Sequence, residues 1–356
     1  MVVLHGNLRA IWPAENDRPI CLIDVNKPLL QLSESAAVIE VVAAVMVRPD
    51  GQFLLTRRPE GKIYAGQWEF PGGKVEKDEP LQHALVRELW EELGIEVRVA
   101  HPWLTRVFSY SHATVRLHFF RVLEWEGELT ARENQGLSWQ FPHQVEVSPI
   151  LPANGPILQA LSLPSVYAIT CAGDVGVEVA LQSIENGLKN GVLLWQIREK
   201  QMPLEMLINF SRLVITLVHA YQGRVIINGD TQLARHIGAD GVHLTAAQLM
   251  ARPVRPDLTY GICGASCHNA EELFAAEQLG LDYVVLSPVN PTLSHPEVSP
   301  LGWRKFARLI HDYSMPVYAL GGLSRKDVSV AQEMGAHGIA MMRGAVTEPP
   351  KEALTN

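Results

Sequence analysis

The sequence predicts an α/β protein of two domains, a strand-rich mixed α/β domain followed by a (β/α)8 barrel. A chain of 356 residues with 47% apolar composition is longer than most single domains and can bury a large core. Its pattern changes after Leu163 and Pro164, because short strand-like runs dominate before them and strand and helix alternate strictly after them. We therefore expect an extension at residues 1–37 and domains at residues 38–162 and 165–346.

Local patterns predict the elements of both domains. Two apolar runs that flank the turn residues Pro49, Asp50 and Gly51 predict a β-hairpin. Further strand-like runs lie at residues 95–99, 105–110 and 114–122 and in SWQF, and a helix is expected near residues 156–161. After residue 164, eight strand-like runs from VYAIT to HGIAM alternate with helical segments. This alternation implies a closed TIM barrel, with functional groups at the C-terminal ends of its strands.

An acidic helix face lies within residues 73–95. At about 100° per residue, Glu88, Glu91 and Glu92 fall within an arc of about 100°. Apolar residues cover the adjoining side: Leu85, Val86, Leu89, Trp90 and Leu93. Taken alone, such carboxylates are typical of a solvated helix face, but they are also the oxygen ligands that Mg²⁺ or Mn²⁺ prefers.

The spacing of this stretch resembles the Nudix box: Gly73, five residues, Glu79, seven residues, Arg87-Glu88-Leu89, one residue, Glu91-Glu92, one residue, Gly94-Ile95. The resemblance implies a Nudix α/β/α sandwich that hydrolyses a nucleoside diphosphate linked to another moiety, with Mg²⁺ (or Mn²⁺) as cofactor. It implies these metal ligands: Glu88, Glu91, Glu92 and Gly72. It also implies that Arg87 orients the carboxylates and that Glu79 supports the site from the preceding loop.

Residues outside the box resemble the MutT type of Nudix hydrolase, over roughly residues 38–162. The resemblance implies that Phe70 stacks on the purine, that Asn154 reads the oxidised guanine edge and that Glu133 adds a carboxylate near metal and water. An asparagine amide offers both donors and an acceptor to a base, although a turn role between two prolines is the alternative for Asn154. Further nucleotide contacts are implied for Arg58, Gly73 and Lys74. The chain departs from MutT at His112-Ala113, where MutT has an Asp-Arg pair.

The strand ends of the barrel resemble thiamine-phosphate synthase and its relative TenI, an aminothiazole tautomerase, across roughly residues 165–346. The resemblance implies a site for a phosphorylated thiazole or pyrimidine ligand. Its matching residues are Gln196, Arg198, Lys200, Asn228, Ser266, His268, Thr292, Ser294 and Gly322.

Both metal-binding aspartates of the synthase are missing. Gly229 follows Asn228 where the second residue of the synthase's Asn-Asp pair is expected, and residues 245–248 read TAAQ where the synthase has GQED. His295 also replaces the phosphate-loop lysine. We therefore expect a barrel that is degenerate as a synthase, whereas TenI-like proton transfer by His268 does not need those aspartates.

Bulk composition excludes several partners. A net charge of −8 carries no basic footprint for polymeric nucleic acid or an anionic membrane, so free nucleotides are the expected partners. Four scattered cysteines, with no targeting segment or long apolar run, favour a cytoplasmic protein. Cys263, Cys267 and His268 are too few to predict a zinc site.

Three functions remain open from the sequence. The first is a Mg²⁺-dependent pyrophosphohydrolase that converts 8-oxo-dGTP to 8-oxo-dGMP and pyrophosphate, which would sanitise the nucleotide pool and avoid mutations in DNA replication and repair. Its attacking water would lose a proton to one of the carboxylates, and the spacing does not identify which carboxylate is this general base. The second is a thiamine-pathway diphosphate hydrolase joined to a TenI-like tautomerase. The third is a sensor that binds a thiazole or pyrimidine phosphate in its barrel.

Overall fold

The computed structural model describes residues 38–257, 261–292 and 298–342. The predicted extension at residues 1–37 lies outside this part of the chain. Within the described part, every helix is too short or too polar to cross a lipid bilayer.

The first half of the chain forms two three-stranded sheets and two α-helices, so the predicted mixed α/β class is confirmed. The elements are β1 (Ile39–Met46), β2 (Phe53–Arg57), β3 (Trp68–Glu69), α1 (Leu81–Leu93), β4 (Glu96–Ser109), β5 (Thr114–Glu126), β6 (Gly136–Gln140) and α2 (Gly155–Leu161). One sheet has the order β1-β5-β4, with β1 parallel to β5, and the other has the order β3-β2-β6. The helix predicted near residues 156–161 is confirmed as α2.

The predicted hairpin between β1 and β2 is wrong beyond its turn. Arg48 N donates to Gln52 O, and Val47 and Phe53 form a single antiparallel bridge, but the two strands then enter different sheets. The reason is that both faces of β1 are apolar. Val42 faces one hydrophobic core and Val45 the other, so β1 lies between two packed layers.

The strands predicted at residues 95–99 and 105–110 are joined in one long strand, β4. Its ladder with β5 changes register near Val97, Val99 and Pro102. Such bulges let a strand continue past a proline, which cannot donate a ladder hydrogen bond. The strand pattern in the sequence is therefore interrupted near Pro102, although the strand itself only bends there.

Helix α1 carries the acidic face and packs through a narrower apolar stripe than predicted. Its buried residues are Ala84, Leu85, Leu89 and Leu93. Val86 and Trp90, at the edge of the apolar side, are 36% and 52% exposed. The guanidinium of Arg132 lies 4.6 Å from the Trp90 ring instead. Gly94 ends the helix at φ 71°, the left-handed cap that favours glycine.

The second half of the chain forms a closed parallel barrel of eight strands, as predicted. Its strands are β7 (Val166–Ile169), β8 (Leu194–Ile197), β9 (Arg224–Asn228), β10 (Gly241–Leu244), β11 (Ile262–Cys267), β12 (Tyr283–Leu286), β13 (Val317–Leu320) and β14 (Gly338–Met341). Its α-helices are α3 (Ala172–Val175), α4 (Val177–Lys189), α5 (Leu204–Ala220), α6 (Thr231–Ile237), α7 (Ala246–Ala251), α8 (Ala270–Gln278), α9 (Gly302–Leu309) and α10 (Val328–Glu333). Large side chains such as Tyr167, Tyr283 and Tyr318 fill its interior.

The β1-β5-β4 sheet contacts the amino end of the barrel. Thr105 N donates to Tyr313 O at 3.0 Å, and Arg106 Nη1 donates to Ser314 O at 2.9 Å. Both acceptors precede β13 in the chain, at the end where the parallel strands begin. The C-terminal strand ends, where the predicted ligand residues lie, are therefore at the opposite end of the barrel from this contact.

Candidate active site and barrel cavity

Arg87 connects the loop before α1 with the acidic helix face. Its Nε and Nη2 donate to the two carboxylate oxygens of Glu79 at 2.9 and 2.8 Å, and its Nη1 donates to Glu88 Oε1 at 2.8 Å. The Arg87 hydrogen bonds, followed by one from Glu76 N, lower the pKa of Glu79 to about 2. Arg87 Nη2 also donates to Lys74 O at 3.0 Å, so one guanidinium fixes both the loop and the Glu88 carboxylate.

Glu92 is the most desolvated carboxylate of the helix face. Burial raises the pKa of Glu92 to about 8, and the nearby charges of Glu69, Glu133 and Glu88 add to the shift. Its Oε2 accepts a hydrogen bond from Gly72 N at 3.0 Å. Burial also raises the pKa of Glu88. Carboxylates crowded in this way are unfavourable unless a proton or a cation compensates them.

The loop passes too close to these carboxylates for a side chain. A Cβ on Gly73 would lie 2.2 Å from Glu88 Oε2. Gly72 has φ +141°, and a Cβ there would lie 2.1 Å from Val42 O. Both positions therefore require glycine.

The other two predicted carboxylates, Glu91 and Glu133, are more exposed than Glu88 and Glu92. The Glu91 side chain is 57% exposed and 3.4 Å from Arg87 Nη1, and Glu133 pairs with Lys62. Glu133 N donates to Gln135 Oε1, and Gln135 Nε2 donates to Glu92 O, both at 2.8 Å. The loop of Glu133 is thus fixed to the end of α1.

The donor set fits a hard divalent cation. Within the described residues, no three His, Cys, Asp or Glu side chains are grouped closely enough to hold a metal. The Glu88 carboxylate nevertheless lies beside Gly73, and that of Glu92 accepts a hydrogen bond from Gly72 N. Burial, followed by the charges of other glutamates, raises the pKa of both. Oxygen donors of this kind suit Mg²⁺ or Mn²⁺.

The predicted base-binding residues take different positions. Asn154 is only 3% exposed, and within the described residues its side chain makes no capping bond to α2. Arg58 donates to Glu69 and to Ile63 O. Phe70 is 3% exposed and lies 5.8 Å from the rings of Phe53 and Phe119, inside the core. Lys74 is exposed.

An aromatic group that the sequence analysis did not identify lies beside Arg58 and Glu69. The Tyr64 ring is 5.4 Å from Tyr110 and 5.8 Å from His112, and Tyr110 is 5.5 Å from His112. Tyr64 adopts φ +61°, an uncommon conformation for a bulky residue. Burial, with Glu69 and Tyr64 nearby, raises the pKa of Tyr110 to about 12, and the Tyr110 side chain interacts with the Ala153 backbone next to Asn154. The rings Tyr64, Tyr110 and His112 are called the aromatic group below.

A cavity of about 550 Å³ opens at the C-terminal ends of the barrel strands. Every described residue of the predicted ligand site lines it: Gln196, Arg198, Lys200, Asn228, Ser266, His268, Thr292 and Gly322. Ser294 lies outside the described residues. His243 also lines the cavity, although sequence reasoning missed it. The signal available was a polar residue in the middle of the strand run GVHL.

The cavity is cationic. None of its described lining residues is an Asp or a Glu, whereas Arg198 and Lys200 carry positive charge. Asp230 follows Gly229, the position at which the synthase has a metal-binding aspartate. Its side chain accepts hydrogen bonds from Gln232 N and Leu233 N and caps α6. His268 Nδ1 lies 2.9 Å from Glu272 Oε2, which orients the imidazole.

Gly322 shapes the turn at the edge of the cavity. It adopts φ +60°, and a Cβ there would lie 2.6 Å from Pro291 O. Only glycine fits this position without a shift of the neighbouring loop.

Comparisons with known proteins match two separate stretches of the chain. The profile described as NUDIX domain matches residues 39–161, and the profile described as thiamine monophosphate synthase matches residues 166–345. A putative thiamine-phosphate synthase 2 of Aquifex aeolicus is 36% identical over 180 residues, which span 51% of this chain and 96% of that protein. The CTP pyrophosphohydrolase of Escherichia coli is 46% identical over 122 residues, which span 34% of this chain and 90% of that protein.

An 8-oxo-dGTP diphosphatase of Haemophilus influenzae is 37% identical over 124 residues, which span 35% of this chain and 91% of that protein. The chain therefore belongs to the NUDIX domain family through residues 39–161 and to the thiamine monophosphate synthase family through residues 166–345.

Proposed function

We propose that residues 38–162 act as a nucleoside triphosphate pyrophosphohydrolase whose substrate is 8-oxo-dGTP, releasing 8-oxo-dGMP and pyrophosphate. The observation that carries this proposal is the arrangement of Arg87 between Glu79 and Glu88 beside the glycine loop. It holds the Glu88 carboxylate directly beside the backbone of the glycine loop. Membership in the NUDIX domain family supports the reaction class.

Glu88, Glu91, Glu92 and Gly72 are the residues that would hold Mg²⁺. When bound, the cation supplies neutralisation of phosphate charge and a more acidic water. Arg87 keeps the Glu88 carboxylate in one orientation, and Gly72 N–H keeps that of Glu92. One carboxylate of this group, with Glu133 assisting from its loop, accepts the proton of the attacking water.

The base would lie between Asn154 and the aromatic group. A buried asparagine amide offers two donors and an acceptor to a base edge, and flat rings offer a stacking surface. Because Phe70 is packed in the core, we assign stacking to Tyr64, Tyr110 and His112 rather than to Phe70. Arg58, fixed by Glu69, borders the same space.

CTP is the second candidate substrate. It is favoured by the 46% identity to a protein named CTP pyrophosphohydrolase and by His112-Ala113, where MutT has an Asp-Arg pair. A stacking surface accepts any base, so we expect the amide of Asn154 to discriminate between 8-oxo-dGTP and CTP.

Replacement of Asn154 by Ala tests the base assignment. Initial rates of pyrophosphate release are measured with 8-oxo-dGTP, dGTP and CTP for wild type, Asn154→Ala and the half-buried control Asn186→Ala on helix α4 of the barrel. We expect the preference for 8-oxo-dGTP over dGTP, as a ratio of rates, to be about tenfold or more lower in Asn154→Ala than in wild type. The reason is that the substitution removes one or two hydrogen bonds to the base. If wild type prefers CTP, then CTP replaces 8-oxo-dGTP as the proposed substrate. If the selectivity of Asn154→Ala equals that of wild type, then Asn154 does not read the base.

We further propose that residues 165–346 bind a phosphorylated thiazole or pyrimidine without Mg²⁺ and do not act as a thiamine-phosphate synthase. The cationic cavity and the use of Asp230 as a helix cap support this proposal. The pair of His268 and Glu272 favours a TenI-like proton transfer as a second activity. Calorimetric titration with a thiazole phosphate, with and without Mg²⁺, tests it, and binding that requires Mg²⁺ would contradict it.

The two sites are proposed to work separately. The β1-β5-β4 sheet contacts the amino end of the barrel, whereas the cavity opens at the other end. A product released near α1 would therefore reach the cavity through solvent, which disfavours a coupled thiamine-pathway reaction within one molecule.

A further inference from the structure

An ion pair joins two loops beside the acidic helix face. The loop between β2 and β3, residues 58–67, carries Lys62, and the loop between β5 and β6 carries Glu133. The Lys62 ammonium contacts the Glu133 carboxylate, and the two side chains are 46% and 40% exposed. An ion pair as exposed as this one is weak, so it opens at little cost. Residues 58–67 are called the lysine loop below.

The backbone of the lysine loop is held independently of this ion pair. Gly66 N donates to Arg58 O at 2.9 Å and closes the loop. The Tyr64 ring packs against Tyr110 at 5.4 Å, which fixes the middle of the loop. Lys62 has a flexible four-carbon side chain, so it can change its partner while the loop keeps its conformation.

Glu133 is fixed close to the carboxylates proposed to hold Mg²⁺. Its backbone N donates to Gln135 Oε1, and Gln135 Nε2 donates to Glu92 O, both at 2.8 Å. Burial raises the pKa of Glu92 and of Glu88, and the charge of Glu133 adds to both shifts. A Glu133 carboxylate released from Lys62 would therefore stay beside Glu88 and Glu92.

The cations around the site differ in how firmly they are held. Arg87 donates to Glu79 and Glu88, and Arg58 donates to Glu69, so both guanidiniums hold inner carboxylates. Lys62 instead holds the exposed Glu133. A polyphosphate carries more negative charge than one carboxylate, so it is the stronger partner for an ammonium.

We propose that Lys62 is a substrate-binding residue that exchanges Glu133 for the polyphosphate of the substrate, and that this exchange releases the Glu133 carboxylate towards the metal site. In the free protein, the ammonium competes with Mg²⁺ for Glu133. In the complex, Lys62 neutralises phosphate charge and Glu133 is available to the cation and its water. Metal and nucleotide should therefore strengthen each other's binding. This inference rests on the proposed pyrophosphohydrolase function and describes how that site takes up its substrate.

Mn²⁺ binding without nucleotide tests the competition for Glu133. Mn²⁺ alone is titrated into the full chain and followed by electron paramagnetic resonance, for wild type, Lys62→Met and Lys189→Met. Lys189 is the matched control, because it is 47% exposed and pairs with Glu185 on α4 of the barrel. We expect Lys62→Met to bind Mn²⁺ about threefold more tightly than wild type, and Lys189→Met to bind it equally.

The Glu133→Gln background separates the release of this carboxylate from a general effect of charge. Lys62→Met should no longer strengthen Mn²⁺ binding in Glu133→Gln, because there is no carboxylate to release. An equal gain in both backgrounds would show that Lys62 acts only as a distant charge, and would overturn the exchange.

Pyrophosphate binding tests the other half of the exchange with a probe that has no base. Pyrophosphate is titrated by calorimetry in the presence of Mg²⁺. We expect Lys62→Met to bind it about tenfold more weakly than wild type, and Lys62→Arg, which keeps the charge, to stay within about threefold of wild type.

The two expected changes in Lys62→Met have opposite signs, which a folding defect would not produce. Unchanged or weaker Mn²⁺ binding in Lys62→Met, an unchanged affinity for pyrophosphate, or the same changes in Lys189→Met would overturn the exchange. Neither titration uses a nucleoside triphosphate. Failure of wild type to hydrolyse any nucleoside triphosphate would therefore overturn the proposed function, while the two affinities still decide whether Lys62 and Glu133 exchange partners.

Discussion

Arg121 on β5 donates two hydrogen bonds to His337, which immediately precedes β14 and is 216 residues away in sequence. Its Nη1 donates to His337 O at 2.8 Å and its Nη2 to His337 Nδ1 at 2.9 Å. His337 Nε2 in turn donates to Leu163 O at 2.8 Å, and the guanidinium lies 4.4 Å from the Trp103 ring. This buried group fixes the NUDIX domain to the amino end of the barrel and keeps the barrel cavity at the far end.

Removal of the Arg121 guanidinium should destabilise the whole chain. Arg121→Met leaves His337 Nδ1 buried without a donor, which costs roughly 1–3 kcal/mol, and leaves the His337 carbonyl to the longer hydrogen bond of 3.4 Å from Gln332 Nε2. Denaturant unfolding measures the loss. The control is Arg98→Met, because Arg98 on the neighbouring strand is 44% exposed and pairs with Glu96 and Glu126 at the surface. It should leave the free energy of unfolding nearly unchanged, and equal losses in both variants would contradict the role of Arg121.

His337 should make stability depend on pH. Burial, with the Arg121 charge, lowers the pKa of His337 well below its usual value, so it stays neutral in the folded chain. Below about pH 6.5 the unfolded state takes up a proton that the folded state does not, and stability falls as pH falls, by up to about 1.4 kcal/mol per pH unit.

His337→Gln lacks this titration, whereas the buried glutamates, which act in the opposite direction, are the same in both proteins. The stability of wild type relative to His337→Gln should therefore decrease between about pH 7.5 and about pH 5.5. A difference that is constant over this range would show that His337 titrates normally.

The glycine loop should be intolerant of one methyl group. Gly73→Ala places a Cβ 2.2 Å from Glu88 Oε2 and must displace that carboxylate. A shift of this size should lower kcat for pyrophosphate release about 100-fold. Gly173→Ala is the control, because its nearest neighbour would be Glu199 Oε2 at 3.5 Å. Retention of wild-type kcat in Gly73→Ala would mean that the Glu88 carboxylate need not hold its observed position.

Tyr64 should contribute to substrate binding rather than to chemistry. Loss of its ring in Tyr64→Ala removes one stacking surface, worth about 1–3 kcal/mol per base, so KM should rise about tenfold with little change in kcat. Tyr64→Phe should keep the wild-type KM. Tyr221→Ala, a surface tyrosine of the barrel that is 37% exposed, is the control for general effects. An unchanged KM in Tyr64→Ala would remove the aromatic group from the base site.

The sequence predicted the barrel well because its strands are buried on both faces and read as short apolar runs between helices. The hairpin failed for a physical reason as well. The turn at Pro49-Asp50-Gly51 forms locally, but the partner of β1 is chosen by burial of Val42 and Val45 on its two faces, which no local pattern reports.

Side-chain relationships at long sequence separation were the least predictable part of both sites. Tyr283 and Tyr167 are 116 residues apart, and His243 and Ser266 are 23 apart. Tyr167, His243 and Tyr283 read as ordinary strand residues until the barrel closes, whereas Ser266 was identified as part of the predicted ligand site but not as a partner of His243. In contrast, Glu79, Arg87 and Glu88 could be predicted from their spacing in the sequence, because they lie on one loop and the helix that follows it.

The rate of pyrophosphate release tests the central claim most directly. Wild type, Glu88→Gln and the exposed control Glu124→Gln are compared with Mg²⁺ on 8-oxo-dGTP, dGTP, CTP, hydroxymethylpyrimidine diphosphate and thiamine diphosphate. We predict that 8-oxo-dGTP has the highest kcat/KM, that Glu88→Gln loses this activity and that Glu124→Gln retains it. Full activity in Glu88→Gln, or a thiamine-related diphosphate as the preferred substrate, would contradict the account.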